Sequence, residues 1–449
     1  MKASTSTSTL HDMWISPAPA ASPGWRSAAG AAAWPLALIA IFHRLIVLAW
    51  AGSVTDDFTT VWSATRRFVA GVDVYNENYA YVDPHYLYSP GATLVLSPLG
   101  MIADPAVARP IFVAANALAI VGALAWLVRL SHLPLRHPIF PAALAAAFFS
   151  EAVTNTLVFS NINGILLLIF VAFIAWMLNE RHWSAGVALG LAILIKPMFA
   201  PLLILPLMRL QWRTAAAAVA LPVVANLAAW PLTPGVGDYL GKLVPYLGTT
   251  RDYANSSLAG FAVYFAMPPA LHGFFFVVFA AAVVVAVLSL ARFRWSDEMM
   301  WASLSSGVLL AGVCLLSSLG QAYYSLLLFP AIFTVLGRAS AMHVPTTWLG
   351  VFLCLSPLEW TSVKFPQTGA WLGTFLPTAG WALFIVSVAA WATTIALCTR
   401  GHTNNTAKKE KDSNERKLQG MDRRAMAGEA EPGRIPGSSA GGNATPRHR

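Results

Sequence analysis

Asp56 and Asp57 stand side by side just beyond the first hydrophobic run of a 449-residue chain that is 57% hydrophobic and only 11% charged. Two carboxylates at a membrane edge, in so charge-poor a chain, point to acid/base chemistry. An ionised carboxylate near the water boundary is a competent general base for a hydroxyl whose proton lies within hydrogen-bonding reach. Glycosidases also pair carboxylates, but on opposite sides of the scissile bond and several Å apart, which adjacent residues rarely provide. Capping of the helix that follows accounts for one Asp and not readily for both.

Arg44, Lys196 and Arg251 are the cations that a phosphate-bearing substrate needs, Arg through its bidentate fork and Lys as a point charge. Arg44 lies within the first apolar run and Glu151 in a later one, so an internal ion pair between them is the alternative to anion binding. Tyr75, Asn76, Glu77, Asp83, His85 and Tyr88 interleave aromatic rings with polar groups, as a carbohydrate groove does. For the tyrosines taken alone, an interfacial aromatic belt is the favoured account. Asn161 and Asn163, then Asp252 and Asn255, then Gln321, Tyr323 and Tyr324 add polar groups in other short loops. There is no P-loop, no dinucleotide fingerprint and no metalloprotease helix, which argues against nucleotide and zinc chemistry. No cofactor is expected: a divalent cation bridged by Asp56 and Asp57 to a phosphate is the open alternative, but two carboxylates fall short of a protein cage for it.

The elements that must hold these residues are membrane helices. A mean hydropathy of +0.60, with repeated apolar runs able to cross a ~30 Å hydrocarbon core, predicts an all-α polytopic membrane protein. The three cysteines, Cys314, Cys354 and Cys398, lie in or beside these runs with no metal or disulfide spacing. Residues 1–31 read as a disordered tail, residues 32–398 as the membrane domain with 52–106 as its first outer loop, and residues 399–449 as a disordered basic tail. After the first span at 32–51, further spans read as 107–130, 138–158, 162–178, 183–208, 212–232, 270–291, 299–318, 321–337, 344–358 and 371–398.

Loop charge orients them, since Lys and Arg concentrate on the cytoplasmic side. Basic residues at 129, 136, 181, 209, 213, 292, 294 and 338 and in the tail can all be cytoplasmic only if the stretch 184–208 enters and returns on one side. Lys196-Pro197 supplies the break, because proline removes a backbone donor and disfavours helix at the residue before it. The expectation is a re-entrant pair of half-helices with its apex at Lys196, both termini cytoplasmic and residues 52–106 extracytoplasmic. Phe58 to Val69 then forms an amphipathic interfacial helix, with Asp56 and Asp57 at its positive end.

The Asp pair, the interfacial helix, the Gly71 to Tyr75 turn, the Tyr-rich run from Tyr86 to Gly91 and the Lys-Pro-broken hairpin together resemble the GT-C glycosyltransferases of family 87. The segments His43-Arg44, Thr55 to Phe58, Tyr75 to Glu77, Tyr81 to Tyr88, Thr154 to Phe159, Asn161 to Gly164, Gln211 to Arg213, Gly248 to Ser257 and Gln321 to Ser325 narrow the resemblance to its arabinan-branching members. The likeness runs from about His43 to the end of the last span, and both tails lie outside it. Ser89 stands where a second proline is expected, and Phe261-Ala262 replaces a more Gly/Asn-like stretch.

The resemblance implies a multi-pass plasma-membrane enzyme that moves arabinofuranose from decaprenylphosphoryl arabinose to the 3-hydroxyl of α(1→5)-linked arabinan, branching arabinogalactan and lipoarabinomannan. It implies inversion, with Asp56 as base and Asp57 as orienter, Asp57 being only slightly behind for the base role. Arg44, Lys196 and Arg251 would take the donor phosphate, the polar groups above the donor sugar and the arabinan acceptor, and the spans the lipid tail. No nucleic-acid partner is implied. The rival readings are a polyprenyl-phosphate-mannose-dependent mannosyltransferase and a lipid flippase or transporter, which also uses broken helices and intramembrane charge.

Overall fold

The computed structural model describes residues 24–52, 57–79, 85–356 and 362–428, with side chains up to Leu397. The chain divides into two units, residues 1–393 and 394–449. Among the described residues there is no strand. Six helices are long and apolar enough to cross a membrane, as expected of a multi-pass membrane protein.

Helix α1 (Trp25–Phe42) continues through a π-helical stretch (His43–Leu48) to Ala51, so the first span begins earlier than the sequence suggested. The first loop holds α2 (Asp57–Val69) and α3 (Pro90–Gly100), and α4 (Pro105–Leu130) then crosses. The next span is bent: α5 (Ile139–Phe149) and α6 (Glu151–Val158) meet at 64°. Ser150 is extended at the bend and its Oγ accepts the Val153 amide, capping α6 and placing Glu151 in the favourable first turn. A hydropathy profile sees only one apolar run there.

Helices α7 (Asn163–Leu178) and α8 (His182–Ile195) follow, and α8 stops where the proline requires. Lys196 is extended (φ −134°, ψ 105°) and a 3-10 turn (Pro197–Leu203) leads into α9 (Ile204–Met208). The two feet of this hairpin share one end: Gln211 Nε2 donates to the Met177 carbonyl at 3.0 Å, and Thr214 pairs with His182 at 3.5 Å. Arg209, buried there, forks onto Glu298 at 2.9 and 3.2 Å and stacks on Trp295. The expected break is therefore present, and the two arms form a hairpin with Lys196 at its tip.

Helix α10 (Trp212–Ala229) packs on α8 and α3, and α11 (Leu258–Tyr264) on α13. Long helices α12 (Pro269–Leu290) and α13 (Glu298–Leu316) pair, and α13 is the most deeply buried span. The remaining elements are a 3-10 run (Ala322–Leu328) leading into α14 (Phe329–Phe333), then α15 (Pro345–Leu355) and α16 (Pro366–Gly428). Several expected spans, among them α7, α8, the 322–336 segment and α15, are shorter than the ~20 residues a full crossing needs.

The backbone of 399–428 is helical, where an irregular tail was expected. Its Lys and Arg residues, good helix formers, are compatible with that backbone. The expectation for residues 1–23 lies outside the described residues.

Helix α2 is fixed by burial on one side. Phe58, Val61, Ala64 and Thr65 are buried, Phe58 against Phe112 of α4, so the apolar stripe read as interfacial packs mainly on protein. Trp62 Nε1 donates to the Ile102 carbonyl at 3.0 Å, Arg66 to that of Gly100 at 3.0 Å, and the Asp57 amide to that of Phe159 at 2.9 Å. At Gly100 a Cβ would collide with the Thr65 backbone, so glycine lets α2 and α3 touch. These constraints aim the first turn of α2 inward.

Candidate active site

The side chains converge on one cavity of about 320 Å³. Its wall carries a carboxylate, Asp57, and two cations, Lys196 and Arg251, from α2, the hairpin tip and the loop before α11. His85, Tyr88, Gln321, Tyr323 and Tyr324 line it too, together with Thr60, Asn155, Phe159, Ser256 and, from α16, Gly373 and Thr374.

One oxygen of Asp57 is engaged twice. Asn161 Nδ2 donates to Oδ2 at 3.1 Å and the Tyr323 hydroxyl donates to it at 3.0 Å. Oδ1 has no hydrogen bond among the described residues. Asp57 also sits in the first turn of its helix, where the backbone dipole favours a negative charge. Such a carboxylate is oriented through one oxygen and has the other for a substrate proton.

Lys196 donates to Asn163 Oδ1 at 2.8 Å, and its ammonium lies 4.5 Å from the centre of the Tyr324 ring. Arg251 is buried, faces the Tyr253 ring at 5.9 Å and has no carboxylate partner among the described residues. Nor does a direct ion pair join Lys196 to Asp57 among those residues. Two cations in one pocket, without acidic partners among the described residues, have the donors that an anion with more than one acceptor oxygen would need.

The backbone explains the placement of the two asparagines. Helix α6 ends in a left-handed residue, Ser160 (φ 51°), with the Asn161 amide donating back to the Thr156 carbonyl at 2.9 Å. The chain is thereby turned so that Asn161 meets Asp57, while its own Oδ1 accepts the Asn163 amide at 2.7 Å. The turn is seated by α4: Asn116 Oδ1 accepts the Ile165 amide, and a Cβ at Gly164 would come within 2.6 Å of the Asn116 carbonyl oxygen.

Other candidates lie away from the cavity. Arg44 donates to the Phe148 carbonyl at 3.2 Å, not to Glu151, and does not line the pocket. Tyr75 is fully buried and donates to the Tyr88 carbonyl at 3.0 Å. Glu77 binds Arg67 at 2.9 Å, accepts the Tyr86 amide at 2.9 Å and lies 3.3 Å from His85 Nδ1, so it organises the loop and holds His85 against the cavity. Asn76 and Asp252 are exposed outside it.

Asn255 is consumed by its own surroundings, donating to the carbonyls of Arg251 and Ser318 and accepting the amides of Ser257 and Gly320. Asn161 and Asn163 are buried behind the wall. Asp56 and Asp83 lie outside the described residues. Burial raises the phenols of Tyr75, Tyr79, Tyr86 and Tyr88, and for Tyr88 the Asp57 charge adds to it. These tyrosines therefore act as neutral donors.

Thr60, Gly373 and Thr374 escaped the sequence reading. Thr60 is one turn from Asp57 and shares its face. Gly373-Thr374 is a small polar interruption of an apolar run, and nothing local connects it to a loop more than 300 positions earlier. Ser89 explains its own departure from the family pattern, since its Oγ accepts the Ala92 amide and caps α3.

Glycosyltransferase family 87 is the family whose model matches this chain, over residues 86–318, a segment that holds Lys196 and Arg251 but not Asp57. A protein of Corynebacterium glutamicum named alpha-(1->3)-arabinofuranosyltransferase is 51% identical over 362 residues, 81% of this chain and 87% of that protein. Proteins of the same name from Mycobacterium tuberculosis and Mycolicibacterium smegmatis are 42% and 41% identical over 359 residues, 79% of this chain and 83% of each. With half of the chain matched by the family model and most of it by these relatives, the chain belongs to glycosyltransferase family 87.

Proposed function

We propose that this chain is an inverting α-(1→3)-arabinofuranosyltransferase of the plasma membrane, acting on its extracytoplasmic face. The donor is decaprenylphosphoryl arabinose and the acceptor is the 3-hydroxyl of α(1→5)-linked arabinan in arabinogalactan and lipoarabinomannan. The observation that carries this reading is one cavity holding the Asp57 carboxylate together with Lys196 and Arg251, in a chain whose relatives bear the name of that transfer.

Asp57 Oδ1 takes the proton of the acceptor hydroxyl. The hydroxyl oxygen forms its bond to the anomeric carbon as the bond from that carbon to the phosphate oxygen breaks on the opposite face. A β-linked donor thus becomes an α-linked product in one displacement. Decaprenyl phosphate leaves as an anion, and Lys196 and Arg251 stabilise the charge that develops on it. Asp57 then returns its proton to water. With two side-chain cations for the phosphate, the reaction is proposed to need no metal, so EDTA should leave the rate unchanged.

The deciding experiment is linkage analysis of product formed from a synthetic α(1→5)-arabinan and labelled lipid-linked arabinose. A new 3-linked branch is expected. Incorporation only from a polyprenyl-phosphate-mannose donor, or lipid movement without transfer, would overturn the reading. For sidedness, a cysteine replacing Met198 beside the hairpin tip should react with a membrane-impermeant reagent from outside, and one replacing Arg213 only from the cytoplasm. Both termini are then cytoplasmic, in keeping with the basic loops.

A further inference from the structure

Asp57 and Lys196 present opposite charges to one cavity without pairing, and the segment lying behind both is Asn161-Ile162-Asn163. Asn161 touches the carboxylate through Nδ2, and Asn163 touches the ammonium through Oδ1. The two are tied to each other by the Asn163 amide and Asn161 Oδ1. Both side chains are buried and neither lines the cavity.

We propose that Asn161-Ile162-Asn163 is a neutral spacer that positions the base and the phosphate-binding cation relative to each other while neutralising neither, with Tyr323 as the second support of the base. This rests on the roles proposed above for Asp57 and Lys196. The residue type carries the argument. An amide can donate to a carboxylate and accept from an ammonium while remaining uncharged. An acidic residue at 163 would also hold Lys196, but would compete with the donor phosphate for its charge. Asn163 Nδ2 is buried with no hydrogen-bond partner among the described residues, so an unmet donor is tolerated where Oδ1 meets Lys196. Asn161 and Tyr323 both use Oδ2, which directs the reaction to Oδ1.

The test uses the full-length protein in lipid nanodiscs, with lipid-linked arabinose and synthetic arabinan. Asn161→Ala and Tyr323→Phe should each lower kcat by about 10²-fold, as a misaimed reacting group does, while the donor KM stays within about threefold. Asn163→Ala should do the reverse, raising the donor KM about tenfold with kcat within about threefold. Asn163→Asp keeps an acceptor for Lys196 and should raise the donor KM at least as much as Asn163→Ala.

An Asn163→Asp enzyme with the wild-type donor KM would overturn the neutral-spacer assignment. So would variants at 161 and 163 that move kcat and KM together, which is the signature of a merely structural role. Tyr323→Phe removes a single oxygen, so it decides the base-positioning half even if Asn161→Ala does not fold. The two levels separate cleanly: a fully active Asp57→Asn enzyme sinks the proposed base, whereas an inactive Asp57→Asn beside a Tyr323→Phe enzyme at wild-type kcat sinks only the positioning role.

Discussion

Two polar regions flank the cavity and they use their polar groups in opposite ways. In the loop from Gly71 to Tyr88 the groups largely satisfy one another. Arg67 binds the Val74 carbonyl and Glu77, Glu77 takes the Tyr86 amide, and the Tyr75 and Tyr79 hydroxyls donate to the Tyr88 and Tyr86 carbonyls. Around the hairpin tip, Asp57 has an oxygen without a donor and Lys196 and Arg251 have no acid partner among the described residues. Leaving charge uncompensated is costly unless a ligand supplies what is missing. The first region therefore reads as scaffold and the second as site, although the first is the richer in sugar-binding residue types.

That contrast is sharpened most by removing charge at the site. Asp57→Asn should lower kcat by about 10²–10⁴-fold while the purified protein keeps its thermal midpoint in detergent, because an uncharged isostere cannot take the hydroxyl proton. Activity near wild type would transfer the base role to Asp56. Lys196→Ala and Arg251→Ala should each weaken donor binding by about 10- to 10²-fold, the worth of a charge-assisted hydrogen bond to phosphate, measured as donor KM.

On the scaffold side the signs reverse. Glu77→Ala should destabilise the protein by about 1–3 kcal/mol by removing the carboxylate partner of Arg67 and leaving the Tyr86 amide unmet, read as a lowered unfolding midpoint. Its folded fraction should lose far less kcat than Asp57→Asn. If transfer collapses while stability holds, the loop is part of the reacting site and the contrast is broken. The smallest effect is expected at Asn76→Ala, within about 0.5 kcal/mol and with an unchanged rate, because Asn76 is exposed and outside the cavity.

What was legible in the sequence had local causes. Proline at 197 stops α8 at Ile195 and leaves Lys196 extended, and charge parity demanded a return to the same side. The amphipathic pattern of residues 58–69 gave α2 nearly to its ends. The bend at Ser150 was not legible, because hydropathy does not register an extended residue inside an apolar run. The placement of Arg44 off the cavity was not legible for a related reason. A charge in an apolar span needs satisfaction, but the sequence does not say whether a phosphate, Glu151 or the Phe148 carbonyl provides it.

Hydrophobic length, proline stereochemistry and the asymmetry of basic loops belong to single segments, so the sequence by itself determined a polytopic helical protein with a hairpin broken at Lys196. Which of many polar loop residues form the site depends on contacts between segments far apart in the chain, as for Tyr323 and Asp57, 266 positions apart. Only the tertiary structure decided that Asn161 and Asn163 stand behind the wall, that Asn255 and Glu77 are used up by backbone and neighbouring charge, and that Asp57 shares its cavity with two cations. The physical reason is that a polar group is available to a substrate only when its neighbours leave it a vacant donor or acceptor, and neighbours are a property of the fold.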